Sequence, residues 1–275
     1  MTPPSRKPVA ALLIHGLGGT EFDLGALHKI LRGCGVDTHA VTLPGHGTVP
    51  DDLRGVPAEA WMTAVTDRYR ELVARYRVVH VIGMCMGALL ALELAKRERH
   101  SCGKLVVLAP PIFLDGWSTP WYRGLRHLLY RTGPLVERMR VTEAPPFGIK
   151  NELVRRIVMA KFERGDAFHY PWVPLQCVRQ VDRLRTWVKR DLSHIPCPTL
   201  VVHAREDELT SLRSAYFVQA ALAPGQVKLV ILENSYHMIC VDNDRDELAL
   251  NVAAHLELDT SAVARRRRDG SIRLG

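Results

Sequence analysis

Short apolar runs recur along this chain and alternate with longer stretches in which apolar residues have helical spacing. Each run is nearly continuous in apolar, mostly β-branched or leucine, residues and is too short for a core helix. Runs of this kind are typical of strands that are buried on both faces of a sheet. The predicted strands cover residues 9–14, 36–42, 78–82, 105–108, 199–203 and 227–232.

The stretches between these runs predict helices. Strands that alternate with helices form a mostly parallel sheet with helices on both sides. The sequence therefore predicts an α/β fold with a doubly wound sheet, and a functional site at the carboxyl ends of its strands. The predicted helices of this core cover residues 23–31, 57–76, 86–99, 211–221 and 246–258.

The alternation stops between residues 110 and 194, where the sequence shows no convincing strand. A structureless loop of this length is uncommon in a compact domain, so we expect an inserted helical cap over the strand ends. The spacing of its tryptophan, leucine and basic residues predicts helices at 121–130, 153–162 and 178–188. The predicted organisation is a core formed by 9–109 and 195–258, a cap at 110–194, and a basic, disordered tail at 259–275.

The composition is that of an ordinary globular protein, with 275 residues, 47% hydrophobic and 24% charged. Six cysteines stand singly, so neither a disulfide framework nor a metal site is indicated, and we expect no cofactor. The apolar stretch near the amino terminus is too brief for a signal peptide or a membrane span. These features favour a cytoplasmic protein.

The formal net charge of +8 is unevenly distributed. Residues 110–190 contain 15 Lys and Arg against 7 Asp and Glu, and a second basic concentration lies in the arginine-rich tail. A solvated charged face with a frayed tail explains this distribution better than a nucleic-acid partner does. The alternative is a surface that attracts an acidic substrate, such as a carrier-bound or coenzyme-bound acyl group.

The sequence GMCMG at residues 83–87 lies between a predicted strand and a predicted helix. This is the context of a nucleophile elbow of the G-x-S-x-G kind, with Cys85 in place of the serine. We expect Gly83 and Gly87 to leave room where the strand and the helix approach each other. Cys85 is therefore predicted to be a nucleophile rather than a small core residue.

The sequence HGLGG at residues 15–19 comes directly after the first predicted strand. Its glycines allow a sharp turn that leaves backbone N–H groups free to point at a developing oxyanion. We expect the N–H groups of Leu17 and Met86 to be the two donors. His15 is expected to order this loop, and His46 to belong to a turn.

Two further side chains complete a catalytic triad in the sequence. Asp207 follows the fifth predicted strand, where Glu206 and Glu208 compete with it for the role of the acid, and His237 follows the sixth. The order nucleophile, acid, histidine and the common position at strand ends predict that Cys85, Asp207 and His237 converge.

These motifs together resemble the α/β-hydrolase superfamily, and most closely its bacterial carboxylesterase and monoacylglycerol-lipase-like branch. The matching pieces are LLIHGLGG at 12–19, LPGHG at 43–47, the elbow, AREDE at 204–208 and SYH at 235–237. The resemblance implies the fold, the triad and action on a small-molecule ester, but it fixes no substrate. The family normally has serine at the position of Cys85 and often glycine at that of Tyr236.

Sulfur at the elbow determines the chemistry that we expect. His237, oriented by Asp207, would take the proton of Cys85, and the thiolate would attack a carbonyl group to form an acyl-thioester enzyme. Amines and thiols attack a thioester more readily than water does. Two enzyme functions are therefore open: hydrolysis of a carboxylic ester or thioester with an apolar acyl group, and transfer of an acyl group from a carrier or coenzyme A thioester to an amine or hydroxyl.

Two further interpretations of the sequence stay open. One is a binding protein that keeps the fold without catalysis, against which the complete triad argues. The second is a natural serine that was replaced by Cys85 to trap an intermediate.

Overall fold

The computed structural model describes residues 7–119, 124–130, 136 and 138–259. In this part of the chain, the strands are β1 (Lys7–Ile14), β2 (Asp37–Val41), β3 (Tyr76–Met84), β4 (Leu105–Leu108), β5 (Arg140–Thr142), β6 (Trp172–Pro174), β7 (Thr199–Ala204) and β8 (Val227–Leu232). The α-helices are α1 (Leu27–Gly33), α2 (Ala58–Arg75), α3 (Met86–Arg97), α4 (Arg126–Leu129), α5 (Glu152–Arg164), α6 (Leu175–Val188), α7 (Arg213–Ala221) and α8 (Arg245–His255). None of these helices is both long and apolar enough to cross a bilayer.

The central sheet has the strand order β2-β1-β3-β4-β7-β8, and all of its described strand pairs are parallel. Parallel pairing brings the carboxyl ends of neighbouring strands to one edge of the sheet. Ile14 at the end of β1 pairs with Gly83, and the next residue of β3, Met84, pairs with Leu108 at the end of β4. The loops that follow β1, β3, β7 and β8 therefore meet above this edge.

Alternate residues of the strands pack against helices on opposite faces of the sheet. Leu12 belongs to the apolar cluster that contains α2, α3 and α7, whereas Leu13 belongs to the cluster that contains α1 and α8. Both side chains are fully buried. Burial on both faces explains why the strands are continuous apolar runs in the sequence. The prediction of an α/β fold with a doubly wound, mostly parallel sheet is confirmed.

The helix predicted at 23–31 is wrong in its first half. A short 3-10 helix (Glu21–Leu24) comes first, and α1 begins only at Leu27. Gly25 separates the two because its φ is +53° and its N–H group bonds to the carbonyl of Phe22. Asp23 consequently lies in the 3-10 turn, where it is buried beside the loop that follows β1.

The region from 110 to 194 is not purely helical. Strands β5 and β6 pair as an antiparallel ribbon, which contradicts the expectation that this region contains no strand. Each of these strands has three residues, and those of β5 are all exposed, so neither forms the apolar run that indicates a buried strand. Helices α5 and α6 match the predictions at 153–162 and 178–188. Of the predicted helix at 121–130, α4 is described, and residues 121–123 lie outside the described residues.

Helix α6 packs with the core layer. Leu184 and Val188 are fully buried in the apolar cluster formed by α2 and α3. The ammonium of Lys96 on α3 donates hydrogen bonds of 2.8 Å and 2.9 Å to the carbonyl oxygens of Trp187 and Arg190. The division into core, cap and tail stays a prediction, and residues 260–275 of the predicted tail lie outside the described residues.

Candidate active site

Cys85 stands in a sharp turn between β3 and α3. Its backbone has φ +54° and ψ −122°, which residues other than glycine rarely adopt. The N–H group of Cys85 bonds to the carbonyl of Leu108 at 3.0 Å, and the side chain is partly exposed. The turn thus holds the sulfur at the carboxyl edge of the sheet in a fixed direction.

The glycines on either side of Cys85 permit this turn for steric reasons. A β-carbon on Gly83 would lie 2.1 Å from the carbonyl oxygen of Gly87, and one on Gly87 would lie 2.1 Å from that of Ile14. Neither backbone oxygen can move without displacing α3 or β1. The close approach that the sequence predicts for this strand and helix is therefore present.

Asp207 and His237 meet in the loops that follow β7 and β8. Nδ1 of His237 donates a hydrogen bond of 2.7 Å to Oδ2 of Asp207. The other carboxylate oxygen of Asp207 accepts the N–H groups of Leu209 and Thr210, each at 2.9 Å. These contacts fix the orientation of the imidazole ring, so Nε2 is the nitrogen left for chemistry.

The charges of this pair stabilise each other in a buried environment. Burial disfavours the charged form of His237, but the Asp207 carboxylate and the sulfur of Cys85 outweigh it and raise the pKa of His237 well above 6.5. Burial would likewise raise the pKa of Asp207, but the charge and hydrogen bond of His237 lower it below its ordinary value. Nε2 of His237 is buried and has no hydrogen-bond partner among the described residues.

The two acids beside Asp207 have different surroundings. The carboxylate of Glu206 pairs with the ammonium of Lys150 at 2.9 Å and is half-exposed. Glu208 is buried, and its carboxylate accepts the backbone N–H group of His237 at 3.1 Å. Sequence reasoning treats Glu208 only as a competitor for the triad acid and misses this contact, which holds the histidine loop in place.

The loop that follows β1, at residues 15–19, is the predicted oxyanion loop. The N–H group of Leu17 donates no hydrogen bond within the described part of the chain. Met86 is the first residue of α3, so its N–H group has no partner inside the helix. The two N–H groups expected to bind an oxyanion are thus available.

His15 and His46 order the backbone near this loop, as the sequence predicts. Nε2 of His15 accepts the N–H group of Leu43 at 3.4 Å, so its Nδ1 carries the proton and donates to the carbonyl of Gly16 at 2.8 Å. Burial lowers the pKa of His15. His46 lies in the LPGHG turn and contacts the carbonyl of Pro44 at 3.2 Å.

Asp242 connects the histidine loop to the region before α5, and sequence reasoning misses it. Its fully buried carboxylate accepts the N–H groups of Lys150 at 2.7 Å, Asn151 at 2.8 Å and Tyr236 at 2.8 Å. The position of Asp242 in the sequence does not indicate a buried acid, because acidic residues are common just before a helix.

Across the described residues, His, Cys, Asp and Glu side chains form no group of three that could hold a metal ion. The chemistry available at this site is that of a thiol, an imidazole, a carboxylate and two backbone N–H groups at one edge of the sheet. This set is suited to nucleophilic attack on a carbonyl group.

Two relatives and a solved structure are similar to this chain over most of its length. The chain is 25% identical over 238 residues to the thermostable monoacylglycerol lipase of Bacillus sp. (strain H-257), with 86% of each chain covered. It is 26% identical over 249 residues to a carboxylesterase of Bacillus subtilis (strain 168), which covers 90% of this chain and 92% of that protein. The structure of a monoacylglycerol lipase from Paleococcus ferrophilus superposes with a TM-score of 0.75 at 18% identity, covering 91% of this chain and 95% of that one.

A family profile also matches most of the chain. The profile of the Alpha/beta hydrolase family matches residues 11–250, which include every segment of the candidate site and all of the central sheet except the first residues of β1. The protein whose sheet, elbow and histidine loop are described above therefore belongs to the α/β-hydrolase family.

Proposed function

We propose that this protein hydrolyses a small-molecule carboxylic ester or thioester with an apolar acyl group, using Cys85 as the nucleophile. The observation that carries the proposal is the hydrogen bond between Nδ1 of His237 and Asp207, which leaves Nε2 as the free ring nitrogen of a histidine whose pKa the nearby sulfur of Cys85 raises. The relatives named as a monoacylglycerol lipase and a carboxylesterase support ester hydrolysis.

The first half of the reaction forms an acyl-enzyme. Nε2 of His237 takes the thiol proton of Cys85, and the sulfur attacks the substrate carbonyl carbon. The carbonyl oxygen becomes an oxyanion, which accepts hydrogen bonds from the N–H groups of Leu17 and Met86. When the tetrahedral intermediate collapses, the bond to the alcohol or thiol breaks and His237 returns the proton to that leaving group.

The second half releases the acid. Water gives a proton to His237 while its oxygen attacks the thioester carbonyl, and the bond to the Cys85 sulfur then breaks. The thiol regains the proton, and the carboxylic acid leaves. Asp207 stays ionised throughout and stabilises the imidazolium that forms twice in the cycle. No cofactor takes part.

A cavity beside the oxyanion loop supports a substrate with an apolar part. It has a volume of about 280 Å³ and lies between the turn at 47–50 and the region before β6. The side chains that line it include Thr20, Val49, Phe162, His169, Tyr170 and Trp172. Asp166 and His169 add polar groups to the lining, but most of the walls are apolar or aromatic, which suits an acyl or alkyl group.

Acyl transfer is a second candidate, which a basic cavity favours. A cavity of about 340 Å³ between α4 and α6 is lined by several cationic side chains, among them Arg126, Arg179, Arg183, Arg185 and Lys189. Asp182 neutralises part of this charge through Arg126 and Arg185. A phosphorylated donor, such as a carrier or coenzyme A thioester, has the complementary charge.

Intact-protein mass spectrometry tests both candidates. The protein is incubated with a panel of acyl esters and acyl thioesters, with and without amine and alcohol acceptors. We expect a mass increment that maps to Cys85 and is lost in Cys85→Ala, with free acid as the product. An acceptor-dependent product would favour transfer, and a panel without adduct or turnover would favour a binding protein.

The same experiment on Cys85→Ser addresses the origin of the thiol. If cysteine is the evolved nucleophile, the folded serine variant loses turnover. If it gains turnover instead, the natural nucleophile at this position is serine. The cytoplasmic location stays part of this proposal.

A further inference from the structure

A segment before β6 lies directly on the oxyanion loop. The hydroxyl of Thr20 donates to the carbonyl of Phe168 at 2.8 Å, and the N–H group of Tyr170 donates to the carbonyl of Gly18 at 2.7 Å. The hydroxyl of Tyr170 also donates to the carbonyl of Gly45 at 3.0 Å. Residues 168–170 therefore bind two core loops at once, and the residue between the two anchored positions is His169.

His169 lies between two carboxylates, one from each side of this contact. Its Nδ1 is 3.4 Å from Oδ1 of Asp23, and its Nε2 is 3.8 Å from Oε1 of Glu143. Asp23 belongs to the core and has a buried side chain, whereas Glu143 follows β5. The imidazole side chain is itself only 15% exposed.

Asp23 is close to the place where the oxyanion would form. Its Oδ2 accepts the N–H group of Gly16 at 3.1 Å, which holds the start of the oxyanion loop. A β-carbon on Gly16 would lie 3.2 Å from that oxygen and 3.7 Å from the sulfur of Cys85. The carboxylate of Asp23 and the sulfur of Cys85 therefore both lie within 3.7 Å of the β-carbon position at Gly16, so the two groups are close to each other.

A buried negative charge at this position opposes the proposed reaction. The carboxylate repels the oxyanion that forms on the substrate, and the repulsion is strong because little water screens it. Met86 and Leu17 supply only partial positive charge. A compensating cation is therefore needed beside Asp23.

His169 has the surroundings of such a cation. Burial disfavours its charged form, but Asp23 and Glu143 outweigh burial and raise the pKa of His169 to about 10. The other titratable groups that face Asp23 are His15, His46 and the thiol of Cys240. Burial lowers the pKa of both histidines and raises that of the thiol, so none of the three carries a positive charge at neutral pH.

We propose that His169 is a positioning residue that acts through Asp23: as an imidazolium it neutralises this buried carboxylate and so keeps the oxyanion loop able to bind negative charge. The proposal rests on the proposed function. His169 lies in the region predicted as a cap. The loop therefore stabilises the oxyanion fully only while residues 168–170 are docked on it.

Three variants of the full chain test this role: His169→Gln, Asp23→Asn and the double variant. His169→Gln leaves the Asp23 charge uncompensated, and we expect kcat for an activated short-chain ester to fall about 10- to 100-fold. The double variant carries no charge at either position, so it should recover most of the lost kcat. Asn at position 23 can still accept the N–H group of Gly16.

Phe22→Leu is the matched control. It removes the contact between the Phe22 ring and the ammonium of Lys161, which joins the same two segments of the chain, without changing any charge. We expect its kcat to stay within about threefold of the wild type. Circular dichroism and thermal melting of every variant establish that each is folded. If Phe22→Leu lost as much kcat as His169→Gln, and the double variant gave no rescue, docking alone would matter and the charge role would be overturned.

Alkylation of Cys85 by iodoacetamide gives a second readout. This reaction needs the nucleophile but forms no oxyanion, so its rate should stay within about threefold in His169→Gln. An equal loss in alkylation and in ester turnover would place the effect on the sulfur and contradict the proposal. If His169→Gln turns over the ester as fast as the wild type, the role of His169 is overturned and the proposed function is not. If the wild type turns over no ester or thioester, the proposed function is overturned, and the role of His169 with it.

Discussion

Oδ2 of Asp207 is 2.7 Å from Nδ1 of His237, although the two residues belong to loops that follow different strands. The contact forms because β7 and β8 are adjacent and parallel, with Ala204 paired to Leu232 at their carboxyl ends. A single carboxylate oxygen therefore determines which nitrogen of the histidine carries its proton.

Asp207→Asn should abolish most of the activity without unfolding the protein. The amide would no longer hold the proton on Nδ1, and Nε2 would cease to be the free base. We expect kcat/KM for an ester to fall by roughly 10³- to 10⁴-fold. Steady-state kinetics measure the loss, with Glu206→Gln as the control, because the carboxylate of Glu206 is half-exposed and pairs with Lys150 instead. Near-wild-type activity in Asp207→Asn would contradict the assignment of the acid.

The acyl adduct should have the reactivity of a thioester. Hydroxylamine at neutral pH attacks thioesters readily and oxygen esters slowly, so the adduct on Cys85 should disappear within minutes of its addition. Any adduct formed on Cys85→Ser should persist under the same conditions. Mass spectrometry of the intact protein follows both samples. A wild-type adduct that resists neutral hydroxylamine would mean that another residue carries the acyl group.

Asp242→Ala should destabilise the fold strongly. The variant leaves the buried N–H groups of Lys150, Asn151 and Tyr236 without their acceptor. We expect a loss of about 3 kcal/mol or more in the free energy of unfolding, measured by urea denaturation. Asp166→Ala is the control, because Asp166 is exposed and its ion pair with Arg164 lies at the surface, so its free energy of unfolding should stay close to that of the wild type. Equal midpoints for the two variants would contradict the structural role of Asp242.

Stability should fall as the pH decreases from about 6.5 to about 4. Burial lowers the pKa of His46, His80 and His100 to about 4 in the folded protein, whereas the unfolded chain binds these protons near pH 6.5. In this window the unfolded state binds more protons than the folded state. Lowering the pH therefore reduces the free energy of unfolding by up to about 3 kcal/mol for each histidine. Urea denaturation between pH 7 and pH 4 measures the slope, and His100→Gln should reduce it. A slope that this substitution leaves unchanged would exclude His100 from the effect.

At alkaline pH the stability should fall as the pH rises. The pKa of His169 is raised to about 10, so its stabilising contribution is complete below about pH 6.5 and is lost as the pH rises toward 10. The free energy of unfolding of the wild type should therefore decline across this range more than that of His169→Gln. Parallel curves for the two proteins would indicate that His169 is not charged in the folded state.

The parts of the structure that can be predicted well from the sequence share a simple physical cause. β4 and β8 have the predicted bounds, because each is a short run of mostly β-branched and leucine residues, which is typical of a strand. The elbow can also be predicted, since a β-carbon on Gly83 would clash with α3 and one on Gly87 would clash with the end of β1. In both cases the residue types of a short segment indicate the structure.

The parts that the sequence does not predict depend on contacts between distant segments. Asp23 is predicted inside a helix, because its spacing from the apolar residues of α1 is helical, and only the fold brings it beside His169. Glu208 and Asp242 look like surface acids in the sequence, yet both bind backbone N–H groups in the interior. The strands β5 and β6 have three residues each, which is too short to produce a strand pattern in the sequence.

The attachment of α6 to α3 has a consequence for protein engineering. Leu184 and Val188 are part of the interior, and Lys96 binds the carbonyl oxygens at the end of the helix. A chimera that exchanges the region predicted as a cap should therefore end at residue 174 and keep Leu175–Val188 with its native partners. A graft that ends at residue 194 would transplant a piece of the scaffold with it.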